Sequence, residues 1–341
     1  MISWLKGEGK DKDIVLSSRV RLARNIENIR FPHLMTVPEA NQVKKTVSDS
    51  IINNSISNSR YKMYEIDKLS PLERSIFVEK HLISPNLLEK PELSAFLLRD
   101  DEKVSIMINE EDHIRIQVLL PGLNIEEGWE IGSRIDDLLE SNAKYAFDER
   151  FGYLTCCPTN VGTGLRASVM VHLPCLVLTG FINQILQAVS QIGLTVRGLY
   201  GEGSSAIGNL FQISNQTTLG ESEEEIIQKL KSIVFQIIAK ERAAMESLLN
   251  NKRVEIEDKV YRSLGILQNA RIISSKESME LLSNVRMGIN MNIIKNINLD
   301  TVNNLMIETQ PANIQNQAEH ELTVLERDVK RSEIIREKIR S

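Results

Sequence analysis

The chain has 341 residues, 42% of them hydrophobic and 26% charged, with a formal net charge of −5 at pH 7. That length suits one large domain plus a smaller one, and the acidic balance excludes a general attraction to nucleic acid or acidic membranes, so any anion site must be a local cluster of arginine. No stretch approaches the roughly 20 apolar residues of a membrane span and residues 1–12 are too polar for a secretory leader, so a cytoplasmic protein is expected.

In chain order, Asp13 to Asn25 reads as a strand running into a turn. Extended geometry puts Ser17, Arg19 and Arg21 on one side and Leu16, Ser18, Val20 and Leu22 on the other. The two guanidinium groups then stand about 7 Å apart, a spacing that fits two phosphates, although an edge strand using charge against aggregation has the same pattern. Pro38 to Ile52 and Pro71 to Lys80 have helical spacing and read as scaffold. His81, close to the break at Pro85, is in reach of a ligand or is a satisfied structural histidine.

Val104 to Val118 alternates on both sides of Asn109-Glu110-Glu111-Asp112-His113, which predicts a hairpin with three adjacent carboxylates at its tip. Crowded acids are costly unless a cation sits among them. The tip is either a solvated turn or a carboxylate that orients a cationic nucleophile and takes its proton, with Arg115 nearby for phosphate.

Cys157-Pro158-Thr159-Asn160-Val161-Gly162-Thr163-Gly164-Leu165-Arg166 is a Pro/Asn/Gly turn opening onto a strand on which Arg166, Ser168, Met170 and His172 share one face and Val169, Val171 and Leu173 the other. Backbone N–H groups of such a loop, with Arg at the first exposed strand position, suit phosphate. The three cysteines, Cys156, Cys157 and Cys175, lack CxxC spacing, which argues against a disulfide framework and a structural zinc site. An apolar helix over Cys175 to Ile192 follows. The glycine-rich Val196 to Asn209, with Glu202 at its centre, is a loop suited to closing over a substrate, and Leu210 to Ser214 is a strand. The Gly-Lys-Ser/Thr ending of a Walker A loop is missing, as are the His-Arg-Asp and Asp-Phe-Gly motifs of the common protein kinases.

Ser222 to Leu249 is amphipathic, and Asn250-Asn251 is the expected boundary between domains 1–250 and 251–341. Beyond it, Tyr261, Leu264, Leu267, Ile272, Leu281 and Leu282 are the expected core of a helical C-terminal domain. The polar run Gln310 to Gln317 leads into a charged helix, Glu321 to Arg340.

Taken together, Ser17-Ser18-Arg19-Val20-Arg21, Asn109 to His113, Cys157 to Ala167 and Gln212-Ile213-Ser214-Asn215 resemble the catalytic domain of the phosphagen (guanidino) kinases. With Glu79 to Asn86 and Arg197 to Gly203 added, the pattern is similar to that of the McsB-type protein-arginine kinases over nearly the whole chain. The resemblance implies an α+β fold, an antiparallel sheet flanked by helices, followed by the all-helical domain. It implies an ATP site lined by Ser17, Ser18, Arg19, Val20, Arg21, His81, Arg115, Arg166, Ala167, Ser168, Val169, Met170, Arg197, Gly198, Leu199, Tyr200, Gly201 and Glu202. Glu111 and Glu202 would be the catalytic carboxylates gripping the substrate guanidinium, with Cys157 beside it. Arg327-Asp328-Val329-Lys330-Arg331-Ser332 resembles the family's Arg-Asp-x-x-Arg-Ala phosphoarginine-binding motif, with Ser332 in place of Ala.

The implied cofactors are ATP and Mg²⁺, with no metal site of the protein's own. The implied partners are protein substrates with an accessible arginine, an McsA-type activator, a Clp ATPase, a CtsR-type repressor and a second copy of the chain. Only 16 residues precede Ser17, so the N-terminal helical domain of small-substrate phosphagen kinases is expected to be absent, leaving room for an arginine held in a polypeptide. Two other readings stand beside this one: a kinase for free arginine or another small guanidino compound, and an inactive adaptor that reads phosphoarginine.

Overall fold

A computed structural model of the chain describes residues 3–5, 9–52, 60–198 and 206–340. Eight strands form one antiparallel sheet: β1 (Val15–Arg24), β2 (Tyr61–Glu65), β3 (Ala95–Arg99), β4 (Val104–Ile108), β5 (Ile114–Pro121), β8 (Leu165–His172), β9 (Leu194–Gly198) and β10 (Leu210–Asn215). Their order is β2-β3-β4-β5-β1-β8-β10-β9, and a two-stranded ribbon of β6 (Phe147–Asp148) and β7 (Gly152–Tyr153) stands apart. The helices are α1 (Val37–Ile52), α2 (Pro71–Glu79), α3 (Ile125–Glu140), α4 (Pro174–Leu178), α5 (Ile182–Gln191), α6 (Glu223–Asn251), α7 (Arg253–Asn269), α8 (Ser275–Asn290), α9 (Leu299–Glu308), α10 (Pro311–Gln315) and α11 (Val324–Arg340).

The two faces of the sheet have different fates because successive side chains alternate across it. Val20, Leu22, Ile116, Val118, Ala167, Val169 and Ile213 point to the face covered by α3 and α6 and are fully buried in the main core. Helix α3 lies close to the strands because Gly128 and Gly132 face them: a Cβ on Gly128 would come 3.3 Å from Val20. The opposite face is divided. Over β3 to β5 a second cluster, with Phe96, Met107 and Leu119 beneath Trp4, Leu82 and Leu87, closes it off; over β5, β1 and β8 it stays polar and carries arginine.

Two expectations are corrected. The apolar run from Cys175 to Ile192 is two helices, broken at Thr179-Gly180, where Gly180 takes φ +78; a residue with no Cβ enters that region at little cost. In the C-terminal domain Leu264, Leu267, Leu281 and Leu282 are buried as expected, whereas Tyr261 and Ile272 are exposed, at 53% and 54%. Tyr261 lies on the outer side of α7, and Ile272 falls in the connection between α7 and α8, where no helical stripe applies.

Helix α6 ends at Asn251 and α7 starts at Arg253, yet the core runs on without a break from the sheet into α7, α8 and α9. A buried polar knot fixes the junction. Arg286 donates to the carbonyls of Lys12 (2.9 Å) and Asp13 (2.8 Å), to Asn303 Oδ1 (2.9 Å) and to His172 Nδ1 (2.9 Å). With Nδ1 accepting, His172 carries its proton on Nε2 and donates to Ser283 Oγ at 2.7 Å.

Candidate active site

Strand pairing assembles the polar face. Arg21 lies opposite Arg166 on β8 and Gln117 on β5, and Arg19 opposite Ser168. Arg115 is two residues before Gln117, and Arg197 on β9 pairs with Gln212 on β10. Directly opposed residues share a face, so one surface collects Arg19, Arg21, Arg115, Arg166 and Arg197 from four strands. Gln117 and Gln212 are polar members that the expected list omitted; each sits two residues from, or opposite, a listed arginine, and the alternation alone would have found them. Arg19 donates to Gln212 Oε1 at 2.7 Å.

The same pairing removes four expected residues from this surface. Ser18, Val20, Ala167 and Val169 point into the helix-covered core, and Ser18 Oγ donates to the Gly122 carbonyl at 2.8 Å instead. They lie in the correct strands, but on the other side of the pleat. Ser17 and Met170 are on the polar face yet buried at its inner end, 2% and 9% exposed. Gly198 ends β9, and Leu199, Tyr200, Gly201 and Glu202 lie outside the described residues.

A cleft of about 240 Å³ opens on this face, lined by Arg21, Ala23, Glu111, Arg115, Cys157, Thr159, Asn160, Gly164 and Arg166. Its charge is concentrated. Burial, then the charges of Arg166 and Arg115, lower the Arg19 pKa to about 10; burial followed by its arginine neighbours lowers Arg21 well below the usual arginine range, and burial followed by Arg197 and Arg115 lowers Arg166. Arg21 Nε and Arg166 Nε are buried without a hydrogen-bond partner. Crowded, partly unsatisfied guanidinium groups destabilise a fold unless a polyanion completes them. A triphosphate fits this donor set.

The three carboxylates of the hairpin tip separate into three roles. Glu110 is buried and accepts from Arg115 Nη1 (2.7 Å) and Ser84 Oγ (2.5 Å). Asp112 is buried and accepts from Asn25 Nδ2 and the Cys156 backbone N, both at 2.7 Å, which pins the hairpin to the turn before the phosphate-side loop. Only Glu111 faces the cleft, its side chain 35% exposed and held by Arg115 Nη2 at 2.8 Å. Arg115 is therefore the cation that makes the acid crowding tolerable, and it fixes the carboxylate at the cleft wall. Cys157 lies across the cleft with Sγ 3.0 Å from Thr159 Oγ1. Its neighbour Cys156 is pushed up to about 12 by burial and Asp112, so it stays a thiol.

The loop that carries Cys157 to Gly164 is clamped by a residue the sequence did not single out. Arg24, 1% exposed, donates to Asp136 Oδ2 (2.6 Å), to the Thr163 carbonyl (2.9 Å) and to the Ala23 carbonyl (2.9 Å), with its guanidinium 3.5 Å over the Tyr153 ring. Gly164, at φ +63, passes so close that a Cβ would stand 2.5 Å from Arg24 Nη1.

The histidines near the site are neutral and structural. His113 Nδ1 accepts from the Ile26 backbone N at 3.0 Å, which leaves Nε2 to donate to the Arg30 carbonyl at 2.8 Å. His81, at φ +59, packs edge-on against Trp4, and burial with the Arg19 charge lowers it to about 4. A base whose folded pKa lies below its unfolded value near 6.5 stabilises the fold fully above pH 6.5 and loses that contribution as pH falls from 6.5 toward 4. The stability difference between the parent and His81→Asn, from urea midpoints, should accordingly shrink between pH 7 and pH 4.5; a constant difference would mean that His81 does not titrate against folding.

At the C-terminal motif, Arg331 is 1% exposed and donates to the carbonyls of Thr309 and Ile273, both at 2.9 Å, while pairing with Asp328. It staples α11 to the end of α9. Arg327, bonded to the Leu322 carbonyl at 3.1 Å, is the more exposed guanidinium; Val329 and Lys330 are half-buried. Ser332 is buried, and its one hydroxyl proton is shared between the Arg271 carbonyl (2.6 Å) and the Val329 carbonyl (2.7 Å). Ser332→Ala should lower stability by about 1 kcal/mol, read as a lower urea midpoint with an unchanged slope.

Among the described residues no helix is long and apolar enough to cross a membrane. The chain matches the model of the ATP:guanido phosphotransferase C-terminal catalytic domain over residues 42–244 and that of the protein-arginine kinase McsB C-terminal domain over residues 253–341. It is 52% identical to a protein-arginine kinase of Brevibacillus brevis, over 99% of this chain and 95% of that one, and 50% identical to a protein-arginine kinase of Bacillus subtilis, over 99% and 93%. Among solved structures, a lombricine kinase superposes with a TM-score of 0.61 at 29% identity, covering 71% of this chain and 70% of that one. The substrate-free duplicated taurocyamine kinase of Schistosoma mansoni, at 22% identity with a TM-score of 0.61 over 80% and 41%, shares the fold. A cationic cleft walled by one fixed carboxylate, on an antiparallel sheet with these relatives, identifies the chain as a member of the ATP:guanido phosphotransferase family that carries the McsB-type C-terminal domain.

Proposed function

We propose that this chain transfers the γ-phosphoryl group of ATP to the guanidinium of arginine residues in proteins. The observation that carries the reading is the convergence of Arg21, Arg115 and Arg166 with Glu111 and Cys157 on one cleft. The arginines hold the triphosphate and neutralise charge spreading over the transferring group. An arginine guanidinium has a pKa above about 12, so its nitrogen attacks phosphorus only as it loses a proton. Glu111 grips the incoming guanidinium from the cleft wall, sets its line of approach and accepts that proton, while the P–O bond to ADP breaks and an N–P bond forms.

Mg²⁺ brought with the nucleotide would supply further positive charge beside these arginines. Glu202 is proposed as the second carboxylate on the guanidinium. In the C-terminal motif Arg327 is proposed to meet phosphoarginine, since Arg331 is committed to backbone carbonyls. Labelling of proteins for a Clp-type protease, control of a CtsR-type repressor, an McsA-type activator, a homodimer and a cytoplasmic location complete the proposal. The first four rest on the family resemblance.

The test is incubation of the purified chain with ATP and Mg²⁺ and either an arginine-containing protein or free arginine, followed by measurement of acid-labile phosphate. Label on protein arginine supports the reading. Label on free arginine alone makes it a small-substrate kinase, and no label in either, with ATP bound, makes it an adaptor.

A further inference from the structure

A second cleft, of about 280 Å³, opens on the other side of the hairpin tip, and the reaction as proposed makes no use of it. Its walls include Pro32, His33, Asn86, Glu89, Asn109 and Cys156, and it shares Glu111 with the cationic cleft. The consecutive cysteines divide between the two spaces, Cys157 in the first and Cys156 in the second. Glu111 is thus the partition: phosphate-binding arginines lie on one side, and on the other is a hollow with no guanidinium on its walls.

Asn109 gives this hollow its chemistry. It is 3% exposed, and its Nδ2 is committed to the carbonyls of Leu93 (2.9 Å) and Ala40 (3.2 Å). The amide orientation is thereby fixed, and Oδ1 is a buried acceptor with no donor. Glu89 adds an exposed carboxylate at the mouth. An acceptor-rich wall calls for N–H donors. Arg115 already engages Glu110 and Glu111, and Lys90 stands beside Glu89, so uncharged donors suit the site better than a second cation.

We propose that this second cleft receives the polypeptide main chain that carries the acceptor arginine, its amide N–H groups facing the Asn109 side. The inference rests on the protein-arginine reading above and deepens it. With triphosphate against Arg21 and Arg166, an acceptor guanidinium reaches Glu111 from the opposite side, and an arginine side chain holds its main chain roughly 6 to 7 Å further out, within the hollow. Free arginine leaves most of this surface unused, which makes the cleft a determinant of peptide over amino acid.

Asn86 is exposed, in the short turn Pro85–Leu88, and takes no part in the phosphate machinery. Asn86→Trp and, independently, His33→Trp fill the hollow from its rim. With a short peptide bearing one central arginine, each variant should raise the peptide KM at least tenfold while kcat and the KM for ATP stay within twofold. The same peptide with lysine in place of arginine should inhibit the parent competitively against the substrate peptide and lose that inhibition in the variants. An unchanged peptide KM in both variants, or an equal loss of nucleotide affinity, overturns the assignment. A parent enzyme that labels no peptide arginine sinks the function reading itself, a failure visible before any variant is made.

Discussion

Replacing Arg166 by alanine is expected to lower kcat/KM for phosphoryl transfer by about 10² to 10³, the usual loss when one fixed donor to a developing anion is removed, while leaving stability unchanged or raised by up to about 1 kcal/mol. The two effects have opposite signs for one reason. Arg166 stands opposite Arg21 across the β1–β8 ladder, its Nε is buried without a partner, and burial with the neighbouring Arg197 and Arg115 charges already disfavours its charged form. Without nucleotide it is a source of repulsion, and with nucleotide it is a clamp. Thermal unfolding in the absence and presence of ATP-Mg²⁺ separates these states: the variant should melt at or above the parent temperature alone and gain less from nucleotide. A variant that melts well below the parent without ligand would make Arg166 a scaffold residue.

The largest expected stability effect lies outside the cleft. Asp136→Ala leaves the Arg24 guanidinium 1% exposed with its carboxylate gone, a change that should cost about 3 to 5 kcal/mol. Arg24 joins the end of β1 to α3, to the Thr163 carbonyl and to the Tyr153 ring, so activity should fall with stability as the loop from Cys157 to Gly164 loosens. Urea unfolding checks the first, and a raised KM for ATP in the folded fraction checks the second. A loss below about 1 kcal/mol would mean that water reaches the pair and that burial does not set its value.

Most of the arginine face was legible because strand alternation is a property of the chain itself: Arg19 and Arg21 had to share a side, as did Arg166 and Ser168. What the sequence could not supply was the neighbour across the ladder. That Arg21 meets Arg166 depends on an antiparallel register set by contacts more than 140 residues apart along the chain, and the choice of Glu111 among three adjacent acids depends on where Arg115, Asn25 and Ser84 arrive. Ser18, Val20, Ala167 and Val169 belong to the matching stretches, but their side chains turn to the helix-covered face, because a strand presents only alternate side chains to one side. The Arg24–Asp136 pair and the Arg286–His172 knot left no sequence signal, since a buried charge and a solvated one are written with the same letter.

The most direct test of the central claim is a crystal structure with ADP, Mg²⁺, nitrate as a planar stand-in for the transferring phosphoryl group, and an arginine peptide. The acceptor guanidinium should lie within about 3.2 Å of the Glu111 carboxylate, with nitrate between it and ADP and in contact with Arg21 or Arg166. A peptide guanidinium bound away from Glu111, or a nucleotide whose phosphates avoid those arginines, would contradict it.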